Sequence, residues 1–478
     1  MNKIFTSLLI LAFSLKSFGA EKNYNISITV KGMENQIGLL AYYYGDKKFI
    51  KDTLNFDNKG IALIKGNKDI PKGVYLIAFP SMRYSSFDLI ISENVFSVAT
   101  DTFNFIKNAV VKNSIENKQM FDDMKYMIPL GTQNDSLQKE LKKLKKEDAN
   151  YTVIKDKIES ISKKIVVHRK EVIAKYPNTF YSKLIELMMD IEIPKAPKNT
   201  NGTLDSFYDF HYTQQHYFDK IDFADSGLIR SPIFAGKISR YMDSYVFPQP
   251  DSLNAAIDNI IKSARVNKEM FQFCLNELFM KYAKSEIMGQ DAVYVHIADK
   301  YFLSGEAWWP TEKSLVELRE RVEALRPTLI GSITPNFIVQ DSLGNNKQFH
   351  QFVAKNKYTI LVFWNSDCGH CQHEIPALKK VYEDSLRTLG VGVFAVSTEQ
   401  TDSSFRAFAA KNCSKDWTTC ADMRGTSAFR REYDVIATPK VFIITPDYKI
   451  IAKSIPVDKL VDFIEFEDNL LSKEKKKN

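Results

Sequence analysis

Two cysteines and two histidines lie within six positions of the segment FWNSDCGHCQHEIP, residues 363–376. The segment continues the apolar run TILVFW, which is typical of a buried strand. Closely spaced cysteines and histidines occur in metal centres, in haem attachment sites and in redox-active thiol pairs. The choice among these three sites decides which function the sequence predicts.

The spacing of the neighbouring residues disfavours the first two sites. Covalent haem attachment uses the pattern C-x-x-C-H, whereas Gln372 follows the second cysteine here. A structural zinc site needs four ligands; His373 could be a third, but Cys413 and Cys420 lie seven positions apart and form no second C-x-x-C pair. A static disulfide at a strand-to-helix turn would connect nothing distant. The pattern therefore favours redox exchange, with no metal and no organic cofactor.

The predicted secondary structure favours ionisation of the first cysteine, Cys368. We expect a helix to begin at or just after Cys368, where unpaired backbone N–H groups and the helix dipole favour the thiolate. Cys371 lies one turn later, within reach of a disulfide. A protonated His370 would stabilise the thiolate further, whereas the carboxylate of Asp367 would oppose it. The prediction is a pKa for Cys368 below the value of about 8.5 of a free thiol.

A second candidate functional segment is Thr438-Pro439, which precedes the apolar run VFII. Pro439 lies 71 residues after Cys368. A proline that opens a strand is ordinary at a sheet edge or a turn. The alternative is a cis-proline loop beside the thiol pair, since cis geometry costs little before proline. The backbone of Thr438 would then be free to pair with the extended chain of a substrate.

The chain has 478 residues, which is long enough for two or three domains. The type of secondary structure that the sequence predicts changes along it. Short alternating runs predict an antiparallel β-sandwich-like domain over residues 21–103, and three- and four-residue apolar spacing predicts a helical domain over 104–325. Strands alternating with helices, followed by a hairpin and a helix, predict an α/β domain over 331–472. Residues 473–478 are a basic tail. The expected fold class is therefore multidomain, with a sandwich-like, a helical and an α/β part.

The N-terminus predicts export. Lys3 precedes a short apolar run, and small residues then offer a cleavage site near residue 20, so residues 1–20 have the pattern of a secretory signal peptide without a lipidated cysteine. No later run is long enough to predict a membrane span. The net charge of +7 is small for this length, and no basic stripe with interleaved aromatics predicts nucleic-acid binding. We expect a periplasmic protein.

Several of these segments together resemble a known family. The similarity rests on FWNSDCGHCQHEIP, VGVFAVST, Tyr433-Asp434-Val435, Ala437-Thr438-Pro439 and the final hairpin. The pattern C-x-x-C-x-x-E-x-P is similar to that of the exported TlpA/ResA-like thiol-disulfide oxidoreductases of the thioredoxin fold, over roughly residues 331–472. Residues 24–325 look similar to the N-terminal domains that are fused to such modules in Bacteroidetes-type bacteria.

The resemblance implies a role for individual residues. Cys368 would be the attacking thiolate, Cys371 the resolving thiol, and Glu374 a group that tunes the cysteines or moves protons. Pro439 would be the cis-proline, with Thr438 before it. One departure is Asp367, because thioredoxins usually carry tryptophan directly before the first cysteine, whereas Trp364 lies three residues further back here.

The implied activity is reduction of disulfides in exported proteins, with electrons from a membrane or periplasmic thiol carrier. CGHC is also the active-site sequence of protein disulfide isomerase, whose couple is more oxidising than that of thioredoxin, roughly −180 against −270 mV. Isomerase or oxidase activity therefore remains an alternative. A thiol peroxidase is another, although LVFWNSDC lacks the pattern P-x-x-x-T-x-x-C, and a partner-binding protein dominated by residues 21–325 is a third.

The remaining cysteines lie outside this pattern. Cys274 falls in an apolar helical run and is expected to be a buried, inert thiol. Cys413 and Cys420 could form a small disulfide or remain free thiols, and the sequence leaves both possibilities open.

Overall fold

We describe a computed structural model of the chain over residues 24–198, 202–399 and 401–474. The predicted signal peptide 1–20 lies outside the described residues, as do residues 475–478 of the predicted basic tail. The chain divides between Tyr245 and Val246 into two compact units. No helix in the described ranges is both long enough and apolar enough to cross a bilayer.

The first unit begins with two four-stranded sheets among its described residues. Alternation places Ile26, Ile28 and Val30 of the first strand in the core with polar residues between them. One sheet has the order β4-β1-β7-β8 and the other β3-β2-β5-β6. The strands are β1 (Tyr24–Lys31), β2 (Ile37–Tyr44), β3 (Lys47–Asn55), β4 (Ile61–Gly66), β5 (Gly73–Phe79), β6 (Ser85–Ile91), β7 (Val95–Asp101) and β8 (Val110–Lys112). Five of the six neighbouring strand pairs in these two sheets are antiparallel, whereas β1 and β7 pair in parallel.

Helices complete the first unit and are fixed to its sheets by buried polar contacts. Asn117, in the first turn of helix α1, accepts a hydrogen bond from Ile90 N at 2.9 Å and donates one to Ile90 O at 2.7 Å. Glu116 accepts hydrogen bonds from Phe180 N and Tyr181 N, at 2.7 and 2.8 Å, and so anchors the start of α3. The helices are α1 (Ile115–Leu141), α2 (Ala149–Lys175), α3 (Phe180–Met188), α4 (Tyr208–His216) and α5 (Phe234–Ser244).

The second unit begins with four helices that are followed by a mixed sheet. The helices are α6 (Pro250–Ala264), α7 (Lys268–Ala283), α8 (Asp291–Ile297), which continues as a π-helical segment over Ala298–Leu303, and α9 (Glu312–Leu325). The sheet strands are β9 (Ile338–Asp341), β10 (Asn346–Gln348), β11 (Tyr358–Trp364), β12 (Val391–Ser397), β13 (Thr418–Ala421), β14 (Lys440–Ile444) and β15 (Ile450–Lys453). The helices around the sheet are α10 (Phe349–Val353), α11 (Gly369–Val381), α12 (Asp402–Asn412), α13 (Phe429–Glu432) and α14 (Leu460–Glu474).

The sheet of the second unit has the order β10-β9-β13-β12-β11-β14-β15. Strand β11 is parallel to β12 and antiparallel to β14. All seven residues of β11 are buried, because apolar cores cover both faces of the sheet: Ile360 and Val362 face one core, and Leu361 and Phe363 the other. This arrangement explains the uninterrupted apolar run TILVFW.

The predicted multidomain fold class is confirmed, with N-terminal β-sheets, a central helical region and a C-terminal α/β part. The predicted boundary near residues 325–331 falls inside the second compact unit. There Lys453 Nζ donates a hydrogen bond to Thr328 O at 2.8 Å, and Gly331 N donates one to Ile450 O at 2.8 Å. The assignment of separate domains to 104–325 and 331–472 stays a prediction, because compactness does not say which segments fold alone.

Candidate active site

The two cysteines of CGHC lie where β11 gives way to α11. Cys368 is the residue that caps the helix, with extended backbone angles, and Gly369 begins the helix proper. Cys368 N donates to Asn365 O at 3.3 Å, and Gln372 N donates to Cys368 O at 3.1 Å. The backbone N–H groups of His370 and Cys371, in the first helical turn, interact with the Cys368 sulfur, as the sequence predicts.

The two thiols differ in their exposure. Cys368 is partly exposed, whereas Cys371 is fully buried in one of the cores beside the sheet. Both are free thiols in this structure, and their side chains interact by a hydrogen bond. A disulfide partner arriving from solvent therefore meets Cys368 first.

The loop before β14 completes the site. The Thr438–Pro439 peptide bond is cis, and the Cys368 thiol donates a hydrogen bond to the carbonyl oxygen of Thr438 at 3.0 Å. Ile436, two residues before Thr438 in the same loop, is 80% exposed, so this part of the loop faces solvent. The predicted neighbours Cys368, Thr438 and Pro439 thus meet although about 70 residues separate them in the sequence.

The surroundings shift the two thiol pKa values in opposite directions. Partial burial opposes ionisation of Cys368, but hydrogen bonds from the backbone of Cys371, the side chain of Thr438, the Cys371 thiol and the backbone of His370 together lower its pKa. Burial raises the pKa of Cys371 to about 11, and the adjacent Cys368 sulfur adds to this effect. Cys368 is therefore the more acidic of the two thiols, and Cys371 stays protonated at neutral pH.

The other predicted site residues have more varied surroundings. The side chains of Asp367 and His370 are exposed, and it is the backbone of His370 that contributes to the lowered pKa of Cys368. Trp364 is fully buried and stacks on Phe408 with ring centroids 4.7 Å apart, so it packs the strand against α12. Glu374 is half-buried, one turn after Cys371, and its carboxylate makes no hydrogen bond or ion pair within the described part of the chain.

Glu399 is a residue of the site that the sequence reasoning missed. Its carboxylate is buried and accepts a hydrogen bond from Ser366 N at 2.6 Å, in the turn that precedes Cys368. The same turn is held by Thr398 N, which donates to Trp364 O at 2.8 Å. A signal was present, because an acid directly after the second buried strand must lie at the edge where β11 and β12, being parallel, both end.

The remaining cysteines lie away from this arrangement. Cys413 and Cys420 are buried free thiols in cores on opposite faces of the sheet, and burial raises the pKa of each to about 12. Cys274 is fully buried in α7, and burial raises its pKa as well. In the ranges that the structure describes, no group of three or more His, Cys, Asp or Glu side chains is arranged to hold a metal ion.

Two family models match the chain. The AhpC/TSA family matches residues 330–453, which include the whole site described above. A domain of unknown function (DUF5106) matches residues 155–326, in the helical part of the chain.

Individual proteins similar to this chain carry related names. A thiol-disulfide oxidoreductase ResA from Bacillus cereus is 28% identical over 149 residues, which are 31% of this chain and 79% of that protein. A protein of the same name from Bacillus thuringiensis subsp. konkukian is 30% identical over 122 residues, covering 26% of this chain and 67% of that protein. The crystal structure of a thioredoxin-like protein from Bacteroides caccae covers 58% of this chain and 99% of its own, with 17% identity and a TM-score of 0.46.

The similarity to the second of these proteins, at 30% identity, extends over two thirds of its length. The sequence resemblance is therefore confirmed: the chain belongs to the TlpA/ResA-like thiol-disulfide oxidoreductases.

Proposed function

We propose that the protein is exported and reduces disulfide bonds in other exported proteins through Cys368 and Cys371. The observation that carries the proposal is the split between the two thiols: an accessible sulfur with a lowered pKa lies beside a buried sulfur with a raised one. A nucleophile must ionise and reach its target, whereas a resolving thiol must wait until the first bond has formed.

The reaction consists of two exchanges. The Cys368 thiolate attacks one sulfur of the substrate disulfide; an S–S bond forms to the enzyme, and the other substrate sulfur leaves as a thiolate that takes up a proton. Cys371 then loses its proton and attacks the Cys368 sulfur, which releases the second substrate thiol. The substrate has gained two electrons, and the enzyme is left with a Cys368–Cys371 disulfide.

The raised pKa of Cys371 fits the order of these steps. Part of the rise comes from the neighbouring Cys368 sulfur. Once that sulfur is bound in the mixed disulfide its negative charge is gone, so ionisation of Cys371 becomes easier at the moment when it must attack. Glu374, half-buried one turn further along α11, is the group that we assign to accept the proton.

The partners follow from the chemistry. The oxidised enzyme needs two electrons per cycle, which we assign to a membrane or periplasmic thiol carrier. Support for export comes from the signal-peptide pattern of residues 1–20 and from the occurrence of disulfide substrates in oxidising compartments. No metal or organic cofactor enters either exchange.

Insulin reduction driven by dithiothreitol tests the proposal. The full chain should accelerate it, and Cys368→Ala should lower the rate to that of dithiothreitol alone, because the attacking sulfur is lost. Cys274→Ala, which changes a buried cysteine in α7, is the matched control and should retain the activity of the original chain. Full turnover by Cys368→Ala, or rapid peroxide consumption without any disulfide substrate, would contradict the proposal.

The direction of the reaction has its own measurement, the reduction potential of the 368–371 pair. A value near that of thioredoxin, roughly −270 mV, supports reduction, whereas a value near roughly −180 mV supports isomerase or oxidase chemistry. Equilibration with glutathione buffers of known potential gives this number directly.

A further inference from the structure

Asp434 is a buried carboxylate that lies between two cations at the start of the cis-proline loop. Its side chain is 7% exposed. Its Oδ1 pairs with the guanidinium of Arg321, and its Oδ2 lies 3.1 Å from Lys440 Nζ. Asp434 has a φ of +49°, a left-handed conformation that asparagine, aspartate and glycine adopt more readily than other residues.

The two contacts of Lys440 close the loop at both ends. Lys440 directly follows Pro439, and its ammonium group also donates a hydrogen bond to the carbonyl oxygen of Asp434. The backbone N–H groups of Val435 and Ile436 make local bonds, to Arg430 O at 2.8 Å and to Asp434 O at 3.0 Å. The ion pairs therefore join residue 434 to residue 440 across the segment that carries Thr438.

Thr438 connects these ion pairs to the reactive thiol of Cys368. Its carbonyl oxygen accepts the hydrogen bond from Cys368 Sγ at 3.0 Å, and its side chain stabilises the thiolate. A loop that is fixed at both ends keeps these atoms in place. Removing the carboxylate leaves two cations without their counter-charge, whereas removing Arg321 leaves Asp434 with Lys440 as its remaining cation. In both cases residue 434 loses a contact that holds it, and the loop is expected to shift.

Arg321 lies outside the segment that the AhpC/TSA family matches. It lies on α9, within residues 155–326 matched by the domain of unknown function, and 113 positions before Asp434. The helical segment has a second attachment to the sheet, because Lys453 pairs with Asp291 of α8 and donates to Thr328 O, three residues beyond α9. Arg321 differs from this attachment in that it contacts the loop that carries Thr438.

We propose that Asp434 is a positioning residue for thiol-disulfide exchange at Cys368, and that Arg321 of α9 completes the active site from the helical segment. The inference rests on the proposed function for its kinetic consequence, but its effect on the thiol itself is measurable without any substrate. It assigns to the end of the domain of unknown function a part in the redox site.

The test uses Arg321→Met in the full chain, which removes the charge and keeps the apolar stem. Two quantities are measured: the pH at which Cys368 is half-alkylated, and kcat for insulin reduction. We expect the midpoint to move to higher pH, because Thr438 no longer stabilises the thiolate, and kcat to fall about tenfold, because small displacements of reacting groups are costly. Arg321→Lys should restore both values.

A matched control and a second variant keep the test decisive. Arg319→Met removes an exposed cation from the same helix, two positions away, and should leave both quantities unchanged. Asp434→Asn removes the carboxylate but still fits the left-handed backbone, and should reproduce the effect of Arg321→Met. An unchanged midpoint and kcat in both Arg321→Met and Asp434→Asn would overturn the inference and leave the proposed function intact. If instead the original chain fails to reduce insulin, the proposed function is lost, and the alkylation midpoints alone decide the positioning role.

Discussion

At the scale of single residues, the site depends on two identical side chains that have been made chemically different. Three positions separate Cys368 from Cys371, yet one lies at the open end of a helix and the other inside a core. The first gains hydrogen bonds that favour a thiolate, and the second is desolvated. In the proposed exchange, this difference assigns the attack to Cys368 and the resolving step to Cys371.

The other three cysteines are expected to take no part in the reaction. We predict that a variant with Cys274, Cys413 and Cys420 all changed to alanine reduces insulin at the rate of the original chain. These sulfurs are buried, their pKa values are raised, and Cys413 and Cys420 lie in cores on opposite faces of the sheet, where they cannot pair.

Alkylation of the native protein followed by mass spectrometry provides the control for this variant. Under native conditions near pH 8 the label should be found on Cys368, and all five cysteines should be labelled after unfolding. Native labelling of Cys413 or Cys420, or loss of most of the activity in the triple variant, would show that a second thiol pair takes part.

At the scale of elements, the carboxyl ends of two parallel strands create the site. Strand β11 delivers the turn that carries Cys368, and β12 delivers Thr398 and Glu399 to the same edge. The N–H of Ser366 bonds to the carboxylate of Glu399, so the path of the turn is set by the neighbouring strand.

We predict that Glu399→Ala slows insulin reduction by about tenfold, since hydrogen bonds to charged groups contribute about 1.5–3 kcal/mol and this one fixes the turn before the nucleophile. Glu399→Gln keeps an acceptor for Ser366 N and should retain most of the activity. Glu383→Ala, at an exposed acid beyond α11, is the comparison that should behave like the original chain. Equal rates for Glu399→Ala and Glu399→Gln would mean that the contact does not position the turn.

Most elements around the site were predictable because their sequence patterns are local. The uninterrupted apolar runs TILVFW and VGVFAVS predict strands buried on both faces, and the hairpins before and after them carry turn residues. The start of α11 at Cys368 was expected from the same local patterns, and the closeness of Thr438 was expected from the family resemblance. What could not be predicted is the pairing of elements far apart in the chain, such as β1 with β7 or Arg321 with Asp434, because no local pattern specifies a partner more than 60 residues away.

At the scale of the whole molecule, the compact units do not follow the family matches. The AhpC/TSA match begins at residue 330, yet the unit that contains it begins at Val246 and includes α6 to α9. Asp291 and Arg321, both before residue 330, hold Lys453 and Asp434 of the matched segment. Within this unit, residues before position 330 therefore contact the segment that the AhpC/TSA family matches.

Two truncations should separate these boundaries. We predict that a fragment of residues 246–478 keeps the Cys368 alkylation midpoint of the full chain, because it retains both ion pairs. A fragment of residues 331–478 lacks Asp291 and Arg321, so its midpoint should move to higher pH and its melting temperature should fall. If the two fragments have the same Cys368 alkylation midpoint and the same melting temperature, helices α6 to α9 contribute nothing to the site.

The most direct test of the account is the rate of alkylation of each cysteine in the reduced full chain as the pH is raised. The account predicts that Cys368 reaches half of its maximal rate below the value of about 8.5 of a free thiol and then levels off, because the thiolate fraction rises through its pKa. Cys371 should stay unreacted until the pH approaches its pKa of about 11. A midpoint for Cys368 at or above about 8.5, or labelling of Cys371 before Cys368, would contradict the assignment of nucleophile and resolving thiol.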